Sequence, residues 1–293
     1  MRVRWPAAAV AALALCVAAC SGDGSSDRSG AADEAVTTET TATTAAPTTA
    51  PPTTAPDPFA RPAWLGTRVL PLRPDGTAGP EATPPELDPR HLATVDVLPP
   101  PADGAFHSTI VAVPAEVAAR STWLPTCPVT LEQLRYVTVS FWGFDGRAHT
   151  GELMVDATAA EAFVGVFQRL FDARYPIEEM RITTRADLDA PPTGDGNNTS
   201  AFACRPITGP GQTSWSSHAY GRALDVNPFQ NPYMRGDLVL PELSSSYLDR
   251  ANTRPGMLAD GDGVVTAFQD IGWGWGGLWT RPVDYMHFSA DDR

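Results

Sequence analysis

Two histidines and two aspartates stand out by type and spacing. "SSHAYGRALDVNP" holds His218 and Asp225, and "DYMHF", near the C-terminus, holds Asp284 and His287. A catalytic zinc site needs three protein ligands and one open position. His218, Asp225 and His287 would make such a set, borderline-soft and suited to Zn2+. A carboxylate beside the metal, but not on it, can take the proton of an activated water. Asp284, three residues before His287, is the candidate. Geometry restrains this reading. On a regular strand, residues i and i+3 face opposite sides, so Asp284 and His287 share a site only where a strand is just beginning or is bulged. His218 and Asp225, seven apart, cannot share a strand face either; His218 belongs in a loop and Asp225 on the strand that follows. The plain alternative is a strand with a polar edge and a proline-rich turn after it.

The elements that must position these residues are legible in part. "LRYVTVSF", Leu134 to Phe141, alternates and is rich in β-formers; Asp145-Gly146 makes a turn, and "HTGELMV" resumes the extended chain as a hairpin. A helix follows, with Thr158 and Glu161 spaced as a capping box and Phe163, Val166, Phe167, Leu170 and Phe171 along one face. Pro176 stops it. "MRITT", Met180 to Thr184, reads as a strand, "LDAPPTGDGNNTS" as a loop and "ALDVN" as a short buried strand. "DGDG" at Asp260 to Gly263 caps a helix over 264–271 that Gly272 ends; it lacks the later ligands of a calcium loop. "DYMHF" closes the chain as a strand. Strands and helices mix without a βαβ rhythm, so the fold class is α+β. His91, His107 and His149 have no partner motif and read as surface or structural residues. Trp273, Trp275 and Trp279 read as packing, or as a stacking surface for substrate.

The chain has 293 residues and a formal net charge of −13, which argues against a nucleic-acid partner and against a basic membrane-binding face. Its first residues, "MRVRWPAAAVAALALCVAAC", have the charged start and short apolar run of an export signal over 1–19. The run ends in Val17-Ala18-Ala19-Cys20, which resembles a bacterial lipobox. Cys20 is then the lipidated N-terminus of an extracytoplasmic protein anchored in the bacterial cell membrane and facing the cell wall. Membrane contact is expected through that lipid only. Residues 20–58 are rich in Thr, Pro and Ala and read as a disordered tether. Residues 59–120 are a proline-rich lead-in, expected to be extended and loosely structured, and 121–293 is the folded domain, expected to be a monomer. In an exported chain the even pair Cys127 and Cys204 suggests a disulfide; two buried thiols are the alternative.

"SSHAYGRALDVNP…NPY", "FACRP" and "GWGWGGLW…DYMHF" together resemble the zinc peptidases of the D-alanyl-D-alanine carboxypeptidase family. That family includes the VanY and VanX enzymes and the L-alanyl-D-glutamate endopeptidases of phage endolysins. The resemblance runs in order from Cys127 to Phe288 and rests on S-x-H-x(6)-D, D-x-x-H and an upstream arginine. It implies a Hedgehog/DD-peptidase-like fold with a central antiparallel sheet and flanking helices. It also implies one zinc ion on His218, Asp225 and His287. Asp284 would be the general base, Arg205 would contact substrate and the developing oxyanion, and Ser216 would lie near the substrate. A Cys127–Cys204 bridge would hold the arginine's loop. The implied substrates are peptidoglycan stem peptides, cut by a carboxypeptidase at the terminal D-Ala or by an endopeptidase between L-Ala and D-Glu or at a cross-link. The choice of bond stays open at this point. The alternative from another class is a non-catalytic cell-wall-binding or sensor lipoprotein on the same fold.

Overall fold

A computed structural model describes residues 57–207 and 213–291. The signal segment 1–19, Cys20 and nearly all of the 20–58 tether lie outside the described residues. Among the described residues, no helix is long and apolar enough to cross a membrane.

Strand β1 (Ser108–Ala112) is exposed along its length and pairs antiparallel with β2 (Leu134–Trp142). Between them lies a short helix, α1 (Ala115–Arg120). β2 and β3 (Ala148–Asp156) form the expected hairpin, turned at Gly146, whose φ of +73° suits glycine. The alternation in sequence becomes a two-faced sheet. Val137, Val139, Phe141, Leu153 and Val155 face the main core, while Leu134 and Met154 face a smaller one.

Helix α2 (Ala160–Asp172) packs Phe163, Val166, Phe167 and Leu170 into that main core. Phe171 lies at its rim, stacked on Trp142 at 5.1 Å. The capping box expected at Thr158 is not formed. The Thr158 hydroxyl donates to the nearby Asp156 carboxylate instead, and the helix starts after Ala159 without a side-chain cap. β4 (Glu179–Met180) is shorter than the strand expected over Met180–Thr184, because Thr184 turns to cap helix α3 (Arg185–Asp189). β4 pairs in parallel with β5 (Asn198–Thr199), inside the stretch expected to be loop throughout.

The second half supplies β6 (Ala223–Asp225), β7 (Tyr233–Arg235), β8 (Leu238–Leu240), α4 (Gly263–Asp270), β9 (Gly274–Trp275), β10 (Val283–Asp284) and β11 (His287–Ser289). Asp262 caps α4 by accepting from the amides of Val264 and Val265. Two small antiparallel sheets result, in the orders β10-β7-β8 and β6-β11-β9. "DYMHF" is therefore not one strand. The chain leaves one sheet after Asp284 and enters the other at His287. The fold is α+β, with α2, α4, β6 and β11 meeting in the main core, where Phe268 stacks on Phe288 at 4.1 Å.

The proline-rich lead-in has few regular elements, yet it is not loose. Leu87 and Leu92 are buried with Phe229, Leu243 and Tyr247. Arg90, also buried, donates to both Glu178 oxygens at 2.7 and 2.8 Å. Proline lowers the chain entropy that fixing such a segment costs, so an extended stretch can pack without helices or long strands. Cys127 and Cys204 form a disulfide, with Cα atoms 5.9 Å apart.

Candidate metal centre

His218 sits in a 3-10 turn, Ser217–Tyr220, and its amide donates to the Ser216 hydroxyl that caps the turn. Gly221 ends the turn at φ +68°, and a Cβ there would meet the Asp156 amide nitrogen of β3 at 2.7 Å. The Gly221 carbonyl accepts from that same amide at 2.9 Å, so the glycine both reverses the chain and docks it on the hairpin. Arg222 then leads into β6, which ends on Asp225. Asp225 is directly opposite His287 in the β6–β11 ladder. Cross-strand partners share a face, so this register brings the two side chains together.

The three polar ends converge. His218 Nε2 is 3.2 Å from Asp225 Oδ2, His287 Nδ1 is 3.1 Å from Asp225 Oδ1, and the two imidazole nitrogens are 3.2 Å apart. His218 Nδ1 is 2.6 Å from the Ala201 carbonyl. A carbonyl can only accept, so Nδ1 carries the proton, and in the neutral ring Nε2 points a lone pair into the site. That lone pair faces a carboxylate oxygen, an acceptor against an acceptor. Either an extra proton or a cation relieves the contact. The spacing suits a cation: four-coordinate zinc with ligand bonds of about 2.0–2.1 Å has tetrahedral edges of about 3.3 Å. Burial pushes the Asp225 carboxyl up, but His218 and His287 more than offset this and hold it well below the usual carboxylate range. These residues fit a divalent metal, and they are the described residues that could hold one.

Asp284 reaches the same cavity from the other sheet, where it pairs with Tyr233. Burial and the Asp225 charge push its carboxyl up to about 7. Its Oδ1 is buried without a hydrogen-bond partner. A Cβ on Gly276 would meet the Asp284 carbonyl at 2.7 Å, which gives one glycine of "GWGWGG" a steric role beside the site. Trp273 and Trp275 are core, and the Trp275 indole donates to the Tyr285 carbonyl at 2.8 Å. Trp279 lines the cavity, its ring 5.5 Å from that of His287.

Arg205, Ser216, His218, Asp225, Asp284 and His287 all line one cavity of about 1080 Å³. Residues 210–290 match the family model of D-alanyl-D-alanine carboxypeptidase. No curated protein and no solved structure matches the chain. The matched segment contains the three convergent donors and Asp284, but not Arg205 or Cys127. Arg205 joins it through space. The Arg205 carbonyl accepts from the Ser216 amide at 3.2 Å, and Pro206 bridges to Trp215. Its charge also draws the Asp284 carboxyl downward, against the larger effect of burial. The Ser216 hydroxyl is occupied locally, accepting from the His218 amide at 3.4 Å.

Sequence reasoning missed the Ala201 carbonyl, which carries no side-chain signal. It also missed Arg222, Arg235 and Arg281, which line the cavity. The three remaining histidines lie elsewhere. His149 is buried between Asp96 and Asp145, His107 faces Asp103, and His91 faces the Pro89 carbonyl. Asn227 and Asn231, of the Asn-Pro turns, are fully buried and donate to backbone carbonyls, Pro176 at 2.8 Å and Gly256 at 2.9 Å respectively. They brace the exit from β6.

Proposed function

We propose that this chain is a zinc peptidase of peptidoglycan stem peptides, exported and held at the bacterial membrane through a lipid on Cys20. The observation that carries the reading is the convergence of His218 Nε2, Asp225 and His287 Nδ1 beside a buried carboxyl raised to about 7, in one cavity. The family match over residues 210–290 supports a peptidase. A bound zinc ion supplies Lewis acidity, polarising a carbonyl and acidifying water.

The chain's own groups do the rest. Asp284, poised near neutral, accepts a proton at its carboxylate and returns it to the leaving amine. Arg205 places positive charge where the carbonyl oxygen becomes negative. The Ala201 carbonyl fixes the His218 ring and keeps Nε2 as a donor atom. Ser216 holds the His218 turn and lines the substrate space. Digestion of purified muropeptides by the zinc-loaded protein, with products weighed, tests this. The expected product lacks a terminal alanine or is split between L-Ala and D-Glu. Unchanged muropeptides in the presence of one equivalent of bound zinc would overturn the reading.

A further inference from the structure

The tyrosines of the chain divide by what their hydroxyls do. Tyr136 donates to Glu152 at 2.6 Å, Tyr175 donates to the Gly256 carbonyl at 2.6 Å, and Tyr247 accepts from the Arg90 amide at 2.7 Å. Each of these is spent inside the fold. Tyr233 is half-buried and lines the cavity, and its hydroxyl makes no hydrogen bond among the described residues. For packing alone a phenylalanine would serve there.

The β7–β10 ladder sets its place. Tyr233 and Asp284 are direct antiparallel partners. Such partners have Cβ atoms about 4.5–5.5 Å apart on one face of the sheet. A tyrosine is longer than an aspartate by a ring, so from neighbouring Cβ atoms the hydroxyl can extend past the carboxylate. Burial pushes the phenol above its ordinary 10, Arg235 draws it back, and the Asp284 charge adds to the rise. The oxygen therefore keeps its proton wherever Asp284 works, and remains a hydrogen-bond donor.

We propose that Tyr233 is a further catalytic residue, whose hydroxyl donates a hydrogen bond to the scissile carbonyl oxygen as that oxygen turns negative. The proposal rests on the peptidase reading. As water adds to the carbonyl carbon, the C=O π pair moves onto oxygen and the water's proton goes to Asp284; the phenol keeps its own. Arg205 approaches from the segment that leads to the His218 turn and Tyr233 from β7, so the oxygen meets donors from two elements. A neutral donor suits the place beside Asp284. Positive charge draws that carboxyl down, as Arg205 already does, and a weaker base would result. A donor that strengthens only as charge develops raises kcat rather than substrate affinity.

Tyr233→Phe removes the hydroxyl and keeps the ring. The zinc-loaded variant should lose about 10²-fold in kcat on the muropeptide that the natural protein cuts, with KM, zinc content and Tm unchanged. A phosphinate peptide, with a tetrahedral P–O⁻ centre in place of the scissile amide, should bind the variant more weakly by about the same factor. The cleavage product should bind both proteins equally. The ratio of phosphinate to product affinity does not depend on how much of the variant folds, so it reads the hydroxyl itself. Natural kcat in the variant, or an equal loss of affinity for product and phosphinate, overturns the proposal and leaves the peptidase reading standing. Zinc-loaded natural protein that cuts no muropeptide brings down both.

Discussion

Asp225 and His287 face each other across the β6–β11 ladder, with Asp225 Oδ1 3.1 Å from His287 Nδ1. One register thus supplies two of the three donors, and the turn before β6 swings in the third. Asp225→Asn keeps the shape and removes the anionic donor. Zinc affinity should fall at least 10- to 100-fold, more than loss of an outer-shell partner costs. Competition against a chelating dye measures it, and affinity equal to the natural protein's would rule Asp225 out as a ligand.

Asp284 is not one of the three convergent donors, and this predicts a separation of binding from chemistry. Asp284→Asn should hold one zinc per chain and lose about 10²- to 10⁴-fold in kcat, the usual worth of a positioned acid–base group. Loss of zinc together with activity would instead make Asp284 part of the metal set.

The metal-free protein should show the strain of that carboxyl directly. Burial and the Asp225 charge raise Asp284 from its ordinary 3.8 to about 7. A raised carboxyl contributes stability that is full below the unfolded value and is lost as pH climbs through the folded one. Between about pH 4 and 7, metal-free natural protein should therefore lose stability relative to Asp284→Asn. Urea midpoints of both proteins across that range, read under chelator, give the comparison; parallel curves would refute the assignment.

What could be read from sequence followed local physics. The β2–β3 hairpin, the buried face of α2 and the Asp262 cap show up because alternation, helical spacing and capping are near-neighbour effects. The His218, Asp225 and His287 set was legible by residue type, but how they meet was not. Placing Asp284 and His287 on different sheets depends on β7 and β6 claiming them, which are pairings across 51 and 62 positions of chain. Thr158 and Thr184 show the limit on the local side as well. The first loses its capping role to Asp156, and the second gains one that shortens β4. The Ala201 carbonyl and the cavity-lining Arg222, Arg235 and Arg281 are visible only once the cavity exists.

The Cys127–Cys204 bridge ties together residues 77 apart, and Arg205 follows it directly. Closing a loop of that length in the unfolded chain is worth about 2–5 kcal/mol. Cys127→Ser/Cys204→Ser should lose stability of that order, and should lower kcat/KM beyond any loss of zinc because the Arg205 loop is released. Calorimetry with matched zinc analysis tests both. Activity and Tm unchanged on reduction would leave the bridge without either role.

The lead-in should prove inseparable from the domain. A chain beginning at residue 121 deletes Arg90, Leu87, Leu92 and β1 together. Glu178 is then left buried with neither Arg90 nor Arg61. Burial alone would raise the Glu178 carboxyl; in the folded protein Arg90 and Arg61 outweigh that and hold it below its ordinary 4.5. Its contribution is therefore present above about pH 4.5 and lost on acidification. Arg90→Ala alone should cost about 3–5 kcal/mol near neutral pH, as an uncompensated buried charge does, and less as the pH falls. Denaturant melts at pH 7 and pH 4 check the sign. A truncated chain that melts like the natural one would show instead that residues 57–120 merely rest on the domain.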